Sequence, residues 1–433
     1  MKKSGPTLAL FGGQPEIKQP FQRYNSIGKK EEKAAMKVLK SGNLSQFIGA
    51  WDPDFFGGPK VREFEVAFQE HFKVDFAVSM NSLSSVLTAA VGALGIAPGD
   101  EVITSPWTMS ATAMAILQWN AIPVFADIDP ENFNLDPSSI ESCISERTKA
   151  IIVPDIFGQS AKVNEIMSIA NRYDLEVISD SAQSPGAEYF GEFAGTLTDI
   201  GGFSLNYHKH IHTGEGGVAV TNDANLASRL QMLRNHAESV VGARGITDLN
   251  NMIGQNYRMG EIEAAIGTEQ LKKLPHLVLD RQRVARALDA GLNNLAGLKI
   301  HVVPEGMSHS YYVYPMTYNP EITGVDRATI VKALRAEGVP AVASGYQLIH
   351  QLPIFQNRIA YGGTDFPWSL NADAPSVDYR MGTCPVAERL HERTFLGIGV
   401  CQFQYTSVEI NLVVAAFHKV WRNLEDLRDY GQG

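Results

Sequence analysis

Short apolar runs recur along the first half of the chain, at Phe76–Met80, Glu101–Thr104, Pro123–Ala126, Ala150–Pro154, Glu176–Ser179, Gly201–Leu205 and Gly217–Thr221. Stretches with helical spacing separate the earlier runs, such as Ser84–Leu94, Ser110–Gln118 and Val163–Tyr173. This alternation predicts a mainly parallel sheet covered by helices, an α/β fold. Two amphipathic helices are expected before it, Glu31–Ser41 and Val61–Phe72, and a Gly/Pro-rich arm occupies residues 1–30. A long helical region follows at Gly260–Leu292, and its charged cluster Asp280–Arg286 reads as a solvated face.

The pattern changes near residue 295. Leu298–Val303 and Tyr311–Tyr318 alternate like antiparallel strands, while Asp326–Glu337 and Ser407–Leu424 have helical spacing. The expected organisation is a large domain over residues 1–294, which includes the arm, and a smaller α+β domain over 295–433. Tyr361–Tyr379 is loop-like and long enough to be a functional insertion.

Composition narrows the function classes. A length of 433 residues supports two cored units. A net charge of −10 without a long basic run argues against nucleic acid and anionic membrane surfaces. Cys143, Cys384 and Cys401 lie far apart, which disfavours a disulfide framework or a zinc site. The apolar patch near the N-terminus is too short for a secretory h-region, so the expected location is the cytoplasm.

Candidate chemistry gathers in the loops after the strands, where sheets of this kind place ligands. Asn81-Ser82-Leu83-Ser84-Ser85 exposes N–H groups at a helix N-terminus, suited to a phosphate or serving only as a capping turn. Asp180 ends an apolar strand; it can hold a protonated heteroaromatic nitrogen, and it can equally cap a helix. Trp107 and Met109 leave another strand end, as a cover for a flat ring or as plain core. Ser204 precedes Lys209 by five residues, as a hydroxyl for the same phosphate or as an unremarkable lone serine. Lys209, flanked by His208, His210 and His212 and followed by Gly214, Gly216 and Gly217, is a Schiff-base nucleophile or an ordinary surface lysine. The three histidines read as substrate or subunit contacts rather than a metal site. Together these pieces are the set that a pyridoxal phosphate enzyme needs.

The motifs GPKVREFEVAFQEHF, APGDEVITSPWT, AIPVFADIDPENFNLDP, ISDSAQSPGAEY, GGFSLNYHKHIHTGEGGVAVTND and GQNYRMGEIEAAIGTEQL resemble the DegT/DnrJ/EryC1/StrS family of sugar aminotransferases. The resemblance runs from about Lys30 to Trp421. It implies the fold type I of pyridoxal phosphate-dependent transferases. It also implies that Lys209 carries the cofactor, Asp180 pairs with the pyridine nitrogen and Gln183 lies near the ring hydroxyl. Ser204 and the backbone at Ser82, Leu83 and Ser84 would hold the phosphate. Asn256 would reach the phosphate from the neighbouring subunit of a homodimer.

Several positions depart from the family pattern. Ser82-Leu83 stands where Gly-Thr is usual, and Met109 stands about where an aromatic cover is often found. The insertion and the LGIGVCQ segment make the substrate-facing part atypical. Lysine is retained where the dehydratase branch has histidine, which favours transamination. The implied reaction moves an amine from L-glutamate or L-glutamine to a nucleotide-linked keto-deoxysugar. The alternatives are a ketocyclitol or non-nucleotide keto sugar as acceptor, or a non-catalytic regulatory homologue. His309, Tyr311 and Tyr346 line the acceptor pocket or belong to the small-domain core.

Overall fold

The first strands are buried on both faces, which is why each reads as a continuous apolar run rather than an alternating one. In the computed structural model, which describes residues 7–373 and 377–430, seven of them form one sheet. In chain order the strands are β1 (Phe76–Met80), β2 (Glu101–Thr104), β3 (Ile122–Phe125), β4 (Thr148–Pro154), β5 (Glu176–Asp180), the hairpin β6 (Glu188–Tyr189) and β7 (Glu192–Phe193), β8 (Ile200–Ser204) and β9 (Gly217–Thr221). The sheet order is β1-β9-β8-β5-β4-β2-β3, with the hairpin apart from it. β8, β5, β4, β2 and β3 pair in parallel, and β9 runs antiparallel to both β1 and β8. This is the mainly parallel α/β sheet that the alternation predicts.

Register brings the chemistry to one edge. Asp180 pairs with Pro154 and with Gly202, and Gly217 pairs with both Met80 and Ser204. The strand ends that precede the candidate loops therefore meet along one line. Helices α1 (Lys29–Ser41), α2 (Pro59–Phe72), α3 (Leu83–Ala93) and α4 (Ala111–Leu117) match the helical spacing within two residues.

The C-terminal part forms a second sheet from β10 (Leu298–Ile300), β11 (Tyr314–Tyr318), β12 (Val342–Ala343) and β13 (Phe395–Ile398), all paired antiparallel in the order β10-β11-β13-β12. Residues 7–27 do not stand free as an arm. Leu8, Ile17 and Phe21 enter the core of this C-terminal part with Leu288, Leu334 and Phe417. The main-chain N–H groups of Ala9 and Glu16 donate to the fully buried carboxylate of Glu337, which also takes a 2.8 Å bond from Lys419. Residues 1–6 of the expected arm lie outside the described residues.

The long helical region is present, and one expectation within it is corrected. The region Gly260–Leu292 is two helices, Glu261–Leu271 and Leu274–Leu292, because Pro275 lacks the N–H that would continue the first. Asp280–Arg286, however, is not wholly a solvated face. The Arg281 side chain is buried, with its guanidinium 4.2 Å above the Tyr24 ring. The insertion packs against the β3 side of the large sheet through side chains: Tyr379 Oη donates to Pro123 O, Tyr361 Oη to Leu117 O and Asn371 Nδ2 to Gly99 O. Residues 374–376 of it lie outside the described residues. Among the described residues no helix is long and apolar enough to cross a membrane.

Candidate active site

A cavity of about 190 Å³ opens at the carboxyl edge of the large sheet. Its wall brings together Ser82, Leu83, Ser84, Met109, Asp180, Gln183, Ser204 and Lys209. These residues are scattered over 128 positions of sequence, from 82 to 209 counted inclusively, and the strand register gathers them.

Lys209 hangs from the loop between β8 and β9. That loop folds back on itself through Leu205 N to Gly216 O, Thr213 N to Leu205 O and Lys209 N to Asn206 O, all close to 2.9–3.0 Å. The lysine is 8 % exposed, with Nζ 4.3 Å from the centroid of the Tyr312 ring. Burial lowers its pKa to about 8, with the Asp180 carboxylate pulling the other way. A lysine poised there passes easily between amine and ammonium near neutral pH.

The phosphate-turn candidate is the N-terminus of α3. Ser82 caps it, its Oγ accepting from Ser85 N at 3.1 Å. The N–H groups of Leu83 and Ser84 have no acceptor among the described residues, so they stay open to an anion. The turn lies directly on β9: a Cβ on Gly217 would sit 2.5 Å from both Leu83 N and Ser82 C. Leu83 itself fills the space over Gly202, where an added Cβ would meet its Cδ1 at 2.7 Å. The unusual leucine therefore packs on a glycine strand rather than offering a hydroxyl.

Asp180 is buried at the end of β5. Its Oδ2 accepts from Thr112 Oγ1 at 2.8 Å and its Oδ1 from Ala182 N at 3.3 Å. Burial raises its pKa against these hydrogen bonds and the nearby Lys209 charge. Gln183 is fixed by two contacts, accepting from Phe157 N at 2.9 Å and donating toward Tyr346 Oη at 3.4 Å.

Trp107 does not line this cavity. Its indole is fully buried between Phe133, Phe157 and Phe395, where a large ring gains more from packing than from covering a wet site. Met109, 56 % exposed, forms that wall instead. Asn256 also lies outside the cavity wall; its side chain is exposed and its carbonyl receives Asn81 Nδ2 at 3.4 Å, beside the turn that opens α3.

The three histidines part company. His208 lines the cavity, and burial with the neighbouring Lys209 lowers its pKa to about 4. His210 is buried; it stays neutral, and its Nε2 must carry the hydrogen because its 2.7 Å partner is the carbonyl of Ser310. His212 is half-buried. No group of three His, Cys, Asp or Glu among the described residues is arranged to hold a metal ion. His309 and Tyr311 stack on one another at 4.1 Å and are buried, away from the cavity wall.

Sequence reasoning missed Thr112, Asp155 and Tyr312. Asp155 is buried beside Asp180, accepting from Ser181 Oγ at 2.6 Å and Ala161 N at 2.8 Å. It follows β4 just as Asp180 closes β5, and that parallel was the available signal. Asn206 and Glu215 also line the mouth, with Asn206 Nδ2 donating to both carboxylate oxygens at 2.9 Å.

Comparison with known proteins agrees with this geometry. Residues 26–390 match the model of the DegT/DnrJ/EryC1/StrS aminotransferase family. An L-glutamine:2-deoxy-scyllo-inosose aminotransferase of Streptomyces lividus is 32% identical over 441 residues, covering 97% of this chain and 99% of its own. The GDP-perosamine synthase of Caulobacter vibrioides is 36% identical over 289 residues, 65% of this chain and 75% of its own. Among solved structures, DesI in the presence of its TDP-sugar product superposes with a TM-score of 0.81 at 25% identity, covering 98% of this chain and 99% of DesI. The chain belongs to the DegT/DnrJ/EryC1/StrS family and is an aminotransferase.

Proposed function

We propose that the chain is a pyridoxal phosphate-dependent aminotransferase that moves an amine from L-glutamate or L-glutamine to the keto carbon of a sugar. The observation that carries this reading is the buried Lys209 sharing one cavity with the buried Asp180 and the open helix N-terminus at Leu83–Ser84. The residues suit the cofactor. The N–H groups of Leu83 and Ser84 and the Ser204 hydroxyl hold its phosphate, and the bare face of Gly217 lets that turn lie flat on the sheet. Asp180, buried and fixed by Thr112, would hold the protonated ring nitrogen. Gln183 would sit beside the ring hydroxyl, and Lys209 would condense with the aldehyde carbon with loss of water.

When bound, pyridoxal phosphate supplies the electron sink that makes a carbon next to an amine acidic. Displaced from the aldehyde carbon by the donor's amine, Lys209 Nζ would take the proton of the donor α-carbon and hand it on to that former aldehyde carbon. Its lowered pKa lets the proton move both ways near neutral pH. Thr112 fixes the Asp180 carboxylate. A second copy of the chain completes the site with Asn256, whose side chain is free to reach outward. We place the enzyme in the cytoplasm.

The acceptor we propose is a nucleotide-linked keto-deoxysugar, in keeping with DesI and the GDP-perosamine synthase. A ketocyclitol is the second reading, favoured by the inosose aminotransferase that matches nearly end to end. Supplying both acceptor classes to the amine-loaded enzyme, with each product identified by mass, separates them. A Lys209→Ala variant that retained full steady-state transamination would overturn the proposal.

A further inference from the structure

Tyr312 stands against the lysine without lining the cavity. Its ring centroid is 4.3 Å from Lys209 Nζ, within the range of an ammonium–aromatic contact. Burial raises the phenol pKa, so the ring stays neutral and offers its electron-rich face.

Two chain segments cross to hold it there. Ser310 N donates to Gly158 O at 2.7 Å, and Val313 N donates to Phe157 O at 3.2 Å. The crossing is too close for any side chain at 158: a Cβ there would lie 2.5 Å from Tyr311 N, and Gly158 has φ +115°. Phe157 and Tyr311, on either side of the contact, both take left-handed backbone with φ of 59° and 53°. Strain of this kind persists where surrounding structure over-determines it. The surroundings are the working residues. Phe157 N–H fixes Gln183, and the Ser310 carbonyl receives His210 Nε2 from the lysine's own loop. Lys209 and Tyr312 are thus tied to each other from both sides.

We propose that Tyr312 is a positioning residue, whose ring face receives the Lys209 ammonium each time Nζ carries the transferred proton. The inference rests on the aminotransferase reading above. Asp180 from β5, Cys401 from the loop after β13, and His208 and His210 from the lysine's own loop also face the ammonium. Asp180 supplies charge, and the ring supplies a dry, directional seat.

The test compares Tyr312→Phe, Tyr312→Leu and Tyr312→pentafluorophenylalanine in the full chain; the last keeps the shape while reversing the charge of the ring face. Two quantities are read. The first is the pH midpoint for acylation of Lys209 in the cofactor-free chain. The second is the rate of the half-reaction with L-glutamate and with its α-deuterated form. Phe keeps both near wild type. Leu and pentafluorophenylalanine lower the midpoint, slow the half-reaction about tenfold and raise its isotope effect. Equal behaviour of all three variants overturns the inference. Loss with Phe equal to that with Leu also overturns it, since the hydroxyl would then be the working group. If wild type ignores every donor, the aminotransferase reading fails, while the acylation midpoint still reports on Tyr312.

Discussion

Thr112 donates its hydroxyl hydrogen to Oδ2 of Asp180 at 2.8 Å, joining the first turn of α4 to the end of β5. The carboxylate is thereby aimed before any cofactor arrives. A hydrogen bond to a buried charged group contributes roughly 1.5–3 kcal/mol, so Thr112→Val weakens pyridoxal phosphate binding about tenfold or more, read by fluorescence titration. Asp180→Asn, which removes the charge itself, lowers turnover further, by about a hundredfold, while the chain stays folded.

Asp155 gives a pH signature. Burial raises its pKa from the carboxylate value to about 7. The folded chain therefore keeps this proton through a pH range where the unfolded chain has lost it. The contribution of Asp155 to stability falls as pH rises from about 4 toward 7 and levels off above, the reverse of an ordinary paired carboxylate. Asp155→Asn removes that contribution. The urea midpoint of the variant should rise relative to wild type across this window in the same cofactor state, and a constant difference would contradict the assignment.

Gly217 is required by close approach, not by backbone angle. An added Cβ meets main-chain atoms of Ser82 and Leu83, which cannot yield as a flexible side chain does. Overpacking of this kind costs about 1–3 kcal/mol. Gly217→Ala should weaken cofactor binding more than it lowers the melting temperature of the cofactor-free chain, because the displaced atoms are those of the turn proposed to hold the phosphate.

The insertion is expected to act on stability rather than on the first half-reaction. Tyr379 Oη accepts from Trp368 Nε1 at 2.9 Å and donates to Pro123 O at 2.7 Å, in a buried setting. Tyr379→Phe leaves both partners unsatisfied and destabilises the chain by about 1–3 kcal/mol in urea unfolding. The rate with the amino donor should stay within about twofold of wild type, since the ring remains in place.

Much of this was legible in sequence because burial on both faces of a sheet leaves uninterrupted apolar runs. β1 and β9 match Phe76–Met80 and Gly217–Thr221 residue for residue. The lysine loop was legible for a related reason: polar and glycine-rich residues separate the apolar runs Gly201–Leu205 and Gly217–Thr221. Other features depend on tertiary contacts that no local pattern records. Trp107 follows a strand end exactly as a ring cover would, and only the aromatic cluster around Phe395 draws it inward. Arg281 reads as one more surface charge until Tyr24 from the N-terminal segment covers it. Leu8, Ile17 and Phe21 are too sparse to signal a core residue each, yet they fill the C-terminal core. Tyr312 belongs to a strand-like run whose pattern says nothing about a lysine a hundred residues earlier.

The central claim is that Lys209 carries pyridoxal phosphate and passes amines through it. The most direct measurement is the visible absorption spectrum of the purified protein with pyridoxal phosphate, taken before and after L-glutamate or L-glutamine. We expect a band from lysine-bound cofactor in wild type that is missing in Lys209→Ala, falls when a donor is added and returns with a keto acceptor. A wild-type spectrum identical to that of Lys209→Ala, or a band indifferent to both donors, would contradict the account.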